Sequence, residues 1–573
     1  MPAARYYSGN HKPIDEEKHD DGGPPAREVS GGSEQGTAIV ESAPLRRALH
    51  GRHMQMIAIG GSIGAGLFVG SGSALSTGGP ASLTIGFIIV GFMLLCTMQA
   101  LGELAVLYPV NGAYYIYMAR FLDPAWGFAI GWDYALGWLL ILPFEITAAG
   151  ITIQFWESAK DIDIGVWIAV FMVALIVVQF FGVRGYGEVE FALGLIKILA
   201  CLGFIILGIV IDCGGVPTDD RGYIGVRYWH TPGAFRHGFH GFCSVFVTAA
   251  FAFGGTELAC LAAAEAASPR TSLPKATRQV FWRVFFFYIV NTFILGLIVP
   301  SDDGRLLNAS GANTAYSPFV IAIRLAGIKV LPSVFNVVIC IAVLSVANSA
   351  TFGSTRTFQA LASHGMAPRW LAYVDSRGRP LAAVGLQIAF AFLAFVNEVE
   401  AGETVFNWLL ALSGLSNFFV WGSVCLAHIR FRRAWRLRGR RVAELPFAAA
   451  MGTAGSWVGL GLNAVCLVAQ FYVALFPVNG GGPEAGRFFQ SYLAAPLILG
   501  LYVFWKVYSA CSGDERINHR GWKLFMRSHE MDLTSGMREG VLEVPEGEAD
   551  EVDGRTLGQK IARLPVTVWK ALI

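Results

Sequence analysis

The chain has 573 residues, 54% of them hydrophobic and only 15% charged, with 67 glycines and a formal net charge of +2, and its mean hydropathy is +0.51. That balance excludes a soluble globular core and points to a polytopic membrane protein; charge is segregated into loops and tails rather than spread over a surface, so nucleic-acid binding has no support. The nine cysteines, among them Cys96, Cys201, Cys260, Cys340 and Cys466, fall singly without CxxC or zinc spacing, so they read as small core residues and imply no metal.

The first fifty residues are polar, mixed in charge and rich in Gly and Pro. Lacking the apolar stretch of a cleaved signal, they read as a disordered tail. Beyond them, runs of roughly twenty apolar residues predict about twelve spans, near 54–75, 82–107, 126–156, 164–182, 189–211, 242–264, 281–300, 332–362, 381–397, 404–429, 454–477 and 491–511. The expected organisation is a cytosolic tail over 1–50, a transmembrane domain over 51–511 and a second cytosolic tail over 512–573. An even span number puts both tails on one side.

Span one, within MQMIAIGGSIGAGLFVGSGSALSTGGP, is crowded with Gly60, Gly61, Gly64 and Gly66 where a helix should be strongest. Spaced as GxxxG, these glycines fit close packing of two helices. They also fit a broken helix whose freed amides and carbonyls bind a small zwitterion at mid-membrane. GSIGAG is not GxGxxG and follows no strand, so a dinucleotide site is disfavoured. In span two, Glu103 lies near the cytosolic end and reads as a structural or gating partner. Glu145 in span three follows Pro143 and divides evenly between packing and pathway.

Lys197 in span five sits eight residues past the cytosolic start of VEFALGLIKILACLGFIILGIVI, roughly 12 Å deep at a helical rise of about 1.5 Å. It either snorkels to the interface or does work inside the bilayer. Span six then repeats the anomaly of span one: FVTAAFAFGGTELACLAAAE carries Gly254 and Gly255 near its middle, followed by Thr256 and Glu257. Spans one and six are five apart, so spans one to five and six to ten read as two copies of opposite topology, with two extra helices. A second break favours the broken-helix reading of the first. Glu257 is either a cap for unwound backbone or a ligand and proton carrier.

Glu265 ends span six and reads as a solvated helix end. Asn348 and Ser349 in span eight and Ser413 in span ten read as helix glue or site polarity, and His428 as interfacial. The loop after span ten, HIRFRRAWRLRGRR, and Arg270, Lys275, Arg278 and Arg283 after span six place these loops, and both tails, in the cytosol. Arg221, Arg227 and Arg236 dissent from an outer loop, offset in part by Asp219 and Asp220. The sequon Asn308-Ala309-Ser310 is then extracellular.

Eight segments resemble the fungal amino-acid permeases of the amino acid–polyamine–organocation superfamily, the yeast amino acid transporter family. They are RHMQMIAIGGSIGAGLF, LGELAVLYPVNGAYYIY, RFLDPAWGFAIGWDYALGW, GVRGYGEVEF, FAFGGTELACLAAAEAASPRTSLPKA, LPSVFNVV, VFNWLLALSGLSNFFVWGSVCLAHIRFRRAW and QFYVALFP, in family order from Arg52 to Pro477. The resemblance implies an all-α polytopic membrane protein of about twelve helices, a five-plus-five inverted repeat with helices 1 and 6 broken. It implies a plasma-membrane importer of L-amino acids by proton symport, with no cofactor and no covalent chemistry. A non-transporting amino-acid receptor on the same fold is the alternative.

By that resemblance, amides at Gly64, Ala65 and Gly66 hold the substrate carboxylate, carbonyls near Ile59, Gly60 and Phe253 receive its ammonium, and Phe253, Thr256 and Glu257 select the side chain with help from spans three, eight and ten, where Ser413 counts among the substrate-binding residues. Lys197 would face the first and eighth helices where sodium-coupled relatives hold a cation, and with Glu257 is a candidate for proton coupling. Ala65 stands where many members have Thr. Asp133 stands where many have Asn, which points either to cationic substrates or to another contact. Lys12 and Lys18 would accept ubiquitin from the trafficking machinery.

Overall fold

The computed structural model describes residues 47–307, 317–398, 402–478, 480, 482–512 and 525–537. Lys12, Lys18 and the sequon at Asn308 lie outside the described residues.

Hydropathy and glycine placement account for most element boundaries. Helix α1 (Gly51–Gly60) stops in the glycine-rich stretch, and a π-helical turn, Gly66–Gly70, leads into α2 (Ser71–Leu107). The path of α2 turns at Gly79, where φ is +83° and ψ 170°, immediately before Pro80. A Cβ on Gly79 would lie 2.7 Å from the Ala234 carbonyl oxygen, so the bend needs glycine for both its dihedral and its space. After α3 (Ala113–Phe121) comes α4 (Pro124–Ile153), started by Asp123, whose carboxylate accepts from the amides of Ala125 and Trp126 and pairs with Lys506 at 2.8 Å.

Next are α5 (Ile164–Phe180), α6 (Gly182–Asp212), α7 (Gly238–Phe253) and the short α8 (Leu258–Leu261), extended by a 3-10 turn, Ala262–Glu265. Helix α9 (Pro269–Arg283) continues through a π-helical stretch, Val284–Val290, into α10 (Asn291–Ile298). The remainder is α11 (Gly304–Leu307), α12 (Pro318–Leu325), α13 (Leu331–Ser363), α14 (Leu381–Ala391), α15 (Gly402–Leu437), α16 (Gly452–Leu475), α17 (Ala485–Tyr492) and α18 (Ala494–Cys511).

Among the described residues, eight helices are long and apolar enough to cross a membrane, and two shorter apolar ones cover Ile164–Phe180 and Leu381–Phe395. Dividing the first at Gly79 and adding α15 recovers all the spans expected from the sequence. The fold is all-α: among the described residues the only extended pairing is the isolated bridge between Leu49 and Ala266.

The exposed side of α6 is as apolar as its core, with Leu195, Leu199, Leu202, Ile206 and Ile209 all outward, as a lipid-facing helix requires. Its buried stripe runs Tyr186, Glu190, Gly194, Lys197, Cys201 and Phe204. Polar groups thus sit inside and apolar groups outside, the reverse of a water-soluble bundle.

At the end of the bundle that carries the arginine-rich loop, ion pairs are buried rather than solvated. Glu103 accepts from Arg432 Nη2 at 2.7 Å and from the Ala449 amide at 2.7 Å, and His428 Nε2 lies 3.0 Å from its other oxygen. His428 is therefore not interfacial: it is fully buried, with Nδ1 2.7 Å from Ser456 Oγ. Glu265 likewise is not a solvated helix end, because α13 brings Arg356 Nε within 3.0 Å of its carboxylate. Both corrections have one cause, since the partners lie on helices remote in sequence.

Glu103→Ala should lower stability by about 3–5 kcal/mol, because it strands Arg432 without a counter-charge. Thermal unfolding of the detergent-solubilised protein should show a fall in Tm; an unchanged Tm refutes a stabilising role.

Bonded structure extends past 51–511 at both ends. The Leu49 amide donates to the Glu265 carbonyl at 3.1 Å. Residues 525–537 lie along the same end of the bundle: Arg438 donates to the Met531 carbonyl at 2.6 Å, Tyr108 to that of Leu533 at 2.9 Å and Arg120 to that of Ser535 at 2.7 Å. Some of the basic residues counted for orientation thus bind this segment. In the loop after α6, Arg221 pairs with Asp219 at 2.8 Å and holds that carboxyl below its usual range, which discounts the dissenting charge.

Candidate functional site

The two glycine breaks meet. Helix α1 closes with the Gly61 amide on the Ile57 carbonyl at 3.0 Å, and α7 with the Gly254 amide on the Ala250 carbonyl at 3.0 Å. Gly255, at φ +92°, packs so closely that any side chain would collide with the Gly61 carbonyl oxygen. Glycine is required here by dihedral and by contact together. The half-helix ends therefore face one another inside the bundle, the arrangement expected of a mid-membrane solute site.

A narrow cavity opens beside this junction. Gly61, Ser62, Gly64 and Gly66 form one wall, Phe251 and Gly254 a second, and α4, α15 and Val346 of α13 the rest. From α4 come Asp133, Gly137, Trp138 and Glu145; from α15, Ser413, Ser416 and Asn417. Of the residues singled out in the sequence, Gly61, Gly64, Gly66, Asp133, Glu145, Gly254 and Ser413 line the cavity.

Glu145 is turned to the Ala65 amide, the group expected to hold a substrate carboxylate, and its Oε2 is buried without a hydrogen-bond partner. Ile59, Phe253, Thr256 and Glu257 instead hold the breaks themselves. The Ile59 carbonyl accepts from the Ile63 amide at 3.2 Å. Thr256 Oγ1 donates to the Phe253 carbonyl at 2.9 Å. The Phe253 ring packs on Tyr288 and Phe87, with centroids 4.3 and 5.6 Å away. The Glu257 carboxylate accepts from the Gly255 amide at 3.2 Å, and its backbone carbonyl accepts from Tyr114.

Behind α1 lies a second polar cluster. Lys197 is fully buried and donates from Nζ to the Gly60 carbonyl at 2.6 Å, so it does not snorkel. The carbonyl at the negative end of a half-helix is a natural cation acceptor, and here the chain supplies the cation. One face of α6 also carries Glu190, which accepts from Ser345 Oγ at 2.7 Å and from Asn348 Nδ2 at 2.8 Å. Asn348 in turn accepts from Gln179 Nε2 at 3.1 Å, joining α5, α6 and α13. Gly60 has no room for a side chain, because Glu190 Oε2 fills that space.

Sequence reasoning passed over Glu190, although its place seven residues before Lys197, two helical turns on one face, was available as a signal. Ser416 and Asn417 were also passed over. They follow Ser413 at the three- and four-residue spacing that puts them on one helix face.

The amino acid permease family model matches residues 53–517. The chain is 49% identical over 516 residues to cationic amino acid transporter 1 of Schizosaccharomyces pombe, covering 88% of this chain and 83% of that protein. It is 48% identical over 528 residues to amino acid transporter 1 of the same organism, covering 90% and 86%. Against the general amino-acid permease GAP1 of Saccharomyces cerevisiae it is 48% identical over 524 residues, covering 91% and 85%.

Proposed function

We propose that this chain, which belongs to the amino acid permease family, imports L-amino acids across the plasma membrane by proton symport, alternating access around the cavity between its two broken helices. The observation that carries the reading is the meeting of two half-helix ends beside a cavity, with the buried Lys197 ammonium on the carbonyl that closes one of them. Backbone amides at Gly64 to Gly66 suit a carboxylate and carbonyls at the opposing ends suit an ammonium, so the backbone itself can hold both ends of the solute. The relatives are named as permeases and transporters, which agrees with a reading that needs no covalent step. Positive-inside counting puts both termini in the cytosol, and Lys12 and Lys18 there are offered as ubiquitin acceptors.

Purified protein in proteoliposomes tests this directly. Radiolabelled amino acids should accumulate when the outside is made acidic, and protonophore should abolish accumulation. Uptake that ignores protonophore overturns proton coupling, and specific binding without uptake favours the receptor alternative.

A further inference from the structure

The cavity contains a second acid with an unmet need. Asp133 is 1% exposed. Its Oδ1 accepts from Ser416 Oγ at 2.8 Å, while its Oδ2 is buried with no hydrogen-bond partner. Among the described residues, the Asp, Glu, Lys, Arg and His side chains that line the cavity are two acids, Asp133 and Glu145, with no base beside them. A carboxylate taken out of water with one hydroxyl for company is poorly compensated, so the site favours a positive charge brought from outside.

The spacing along α4 says which part of a substrate could bring it. Asp133 is twelve residues from Glu145, about 18 Å along the helix at its usual rise. It is five residues, about 7.5 Å, from Trp138, whose ring lies 3.1 Å from the position a Gly255 Cβ would take. An amino acid whose ammonium and carboxylate are engaged at the glycine breaks therefore has only its side chain to offer Asp133.

The wall between is suited to such a stem. Gly137 lines the cavity, and a Cβ there would meet nothing within 4 Å, so the path alongside α4 is open. Tyr134 and Trp138 flank it, offering apolar surface to methylenes and ring faces to a cation.

We propose that Asp133, oriented by Ser416, forms a cation-accepting subsite at the far end of the cavity and selects amino acids with long, positively charged side chains. This deepens the transport reading above and rests on it. The carboxylate of Asp133 pairs with a guanidinium or ammonium, Ser416 fixes the Oδ1 side, and Oδ2 is left for the ligand. A neutral isostere of the same length fills the same path but leaves the carboxylate uncompensated.

The experiment compares isosteres in proteoliposomes, with whichever of radiolabelled L-arginine or L-leucine is taken up serving as tracer. L-arginine should compete better than L-citrulline, and L-lysine better than L-norleucine, each by on the order of thirtyfold. Asp133→Asn should bring both ratios to about one, and Ser416→Ala should narrow them without erasing them. Equal competition by charged and neutral isosteres in the wild type overturns the subsite, as does an Asp133→Asn protein that keeps the ratios. If Asp133→Asn is not recovered folded, the wild-type ratios and Ser416→Ala decide. Uptake of neutral amino acids with no charge preference sinks the subsite and leaves the transport reading standing. Absence of uptake for every amino acid sinks both.

Discussion

Lys197→Met is expected to yield a protein that binds substrate yet cannot concentrate it. The Nζ bond to the Gly60 carbonyl, 2.6 Å long, ties α6 to the end of α1 most strongly while the lysine is charged. Loss of the proton removes one donor and the attraction to the half-helix end, so the two protonation states favour different arrangements of α1. If the charged form holds the outward-open arrangement and the neutral form the inward-open one, acid outside loads the cycle and neutrality inside discharges it. A pH step of about one unit can drive roughly tenfold accumulation in a one-to-one symporter, because each 1.4 kcal/mol is tenfold.

Methionine has nearly the same length and no charge, so the Lys197→Met protein should equilibrate its substrate at about onefold whatever the gradient. The measurement is proteoliposome uptake under an imposed gradient, with binding followed separately by ligand-induced thermal shift. Normal accumulation by Lys197→Met would move coupling to another residue. Glu190 is then the first rival, because it bonds Ser345, the α13 residue that also borders Gly60, and Glu190→Gln should be assayed in parallel. Glu257 is a second rival, although its carboxylate is spent on the Gly255 amide.

Gly64→Val should abolish substrate binding while folded protein still reaches the membrane. A Cβ at Gly64 would lie 2.5 Å from Val346 Cγ2 and 3.5 Å from Glu145 Oε1. The first neighbour is a side chain that can shift, and the valine branches then fill the cavity beside the binding amides. Affinity should fall by more than about a hundredfold, as expected when a preformed site is sterically filled. Gly66→Val offers a contrast, because its Cβ would meet the Ala252 Cα at 2.6 Å. Backbone cannot yield as a side chain does, so this variant should lose folded protein, not affinity alone. Surface level and ligand-induced thermal shift measured together separate the outcomes. Unchanged affinity in Gly64→Val would mean that these amides do not touch substrate and that the glycines serve helix packing.

The sequence by itself determined the elements and the two places where they fail. A lipid-crossing helix must be apolar over about twenty residues and must keep its backbone bonds internal. Spans and interruptions are therefore local signals, and Gly60, Gly61, Gly254 and Gly255 carried them without reference to any partner. Lys197 was legible for the same reason, since a charge within an apolar run needs a cause.

Tertiary structure alone decided which polar groups meet. Phe253 and Thr256 looked suited to selecting a side chain, but the rotation of α7 turns the Phe253 ring onto Tyr288 and leaves Phe251 on the cavity wall. Asp133 and Glu145 share that cavity because the face of α4 that carries them turns inward beside α15. Glu103, Glu265 and His428 find their partners on helices 91 or more residues away in sequence, or across the α15–α16 loop. Helix rotation and crossing are set by packing among all the spans at once, so a one-dimensional reading can give the faces of a helix but not the neighbour each face will meet.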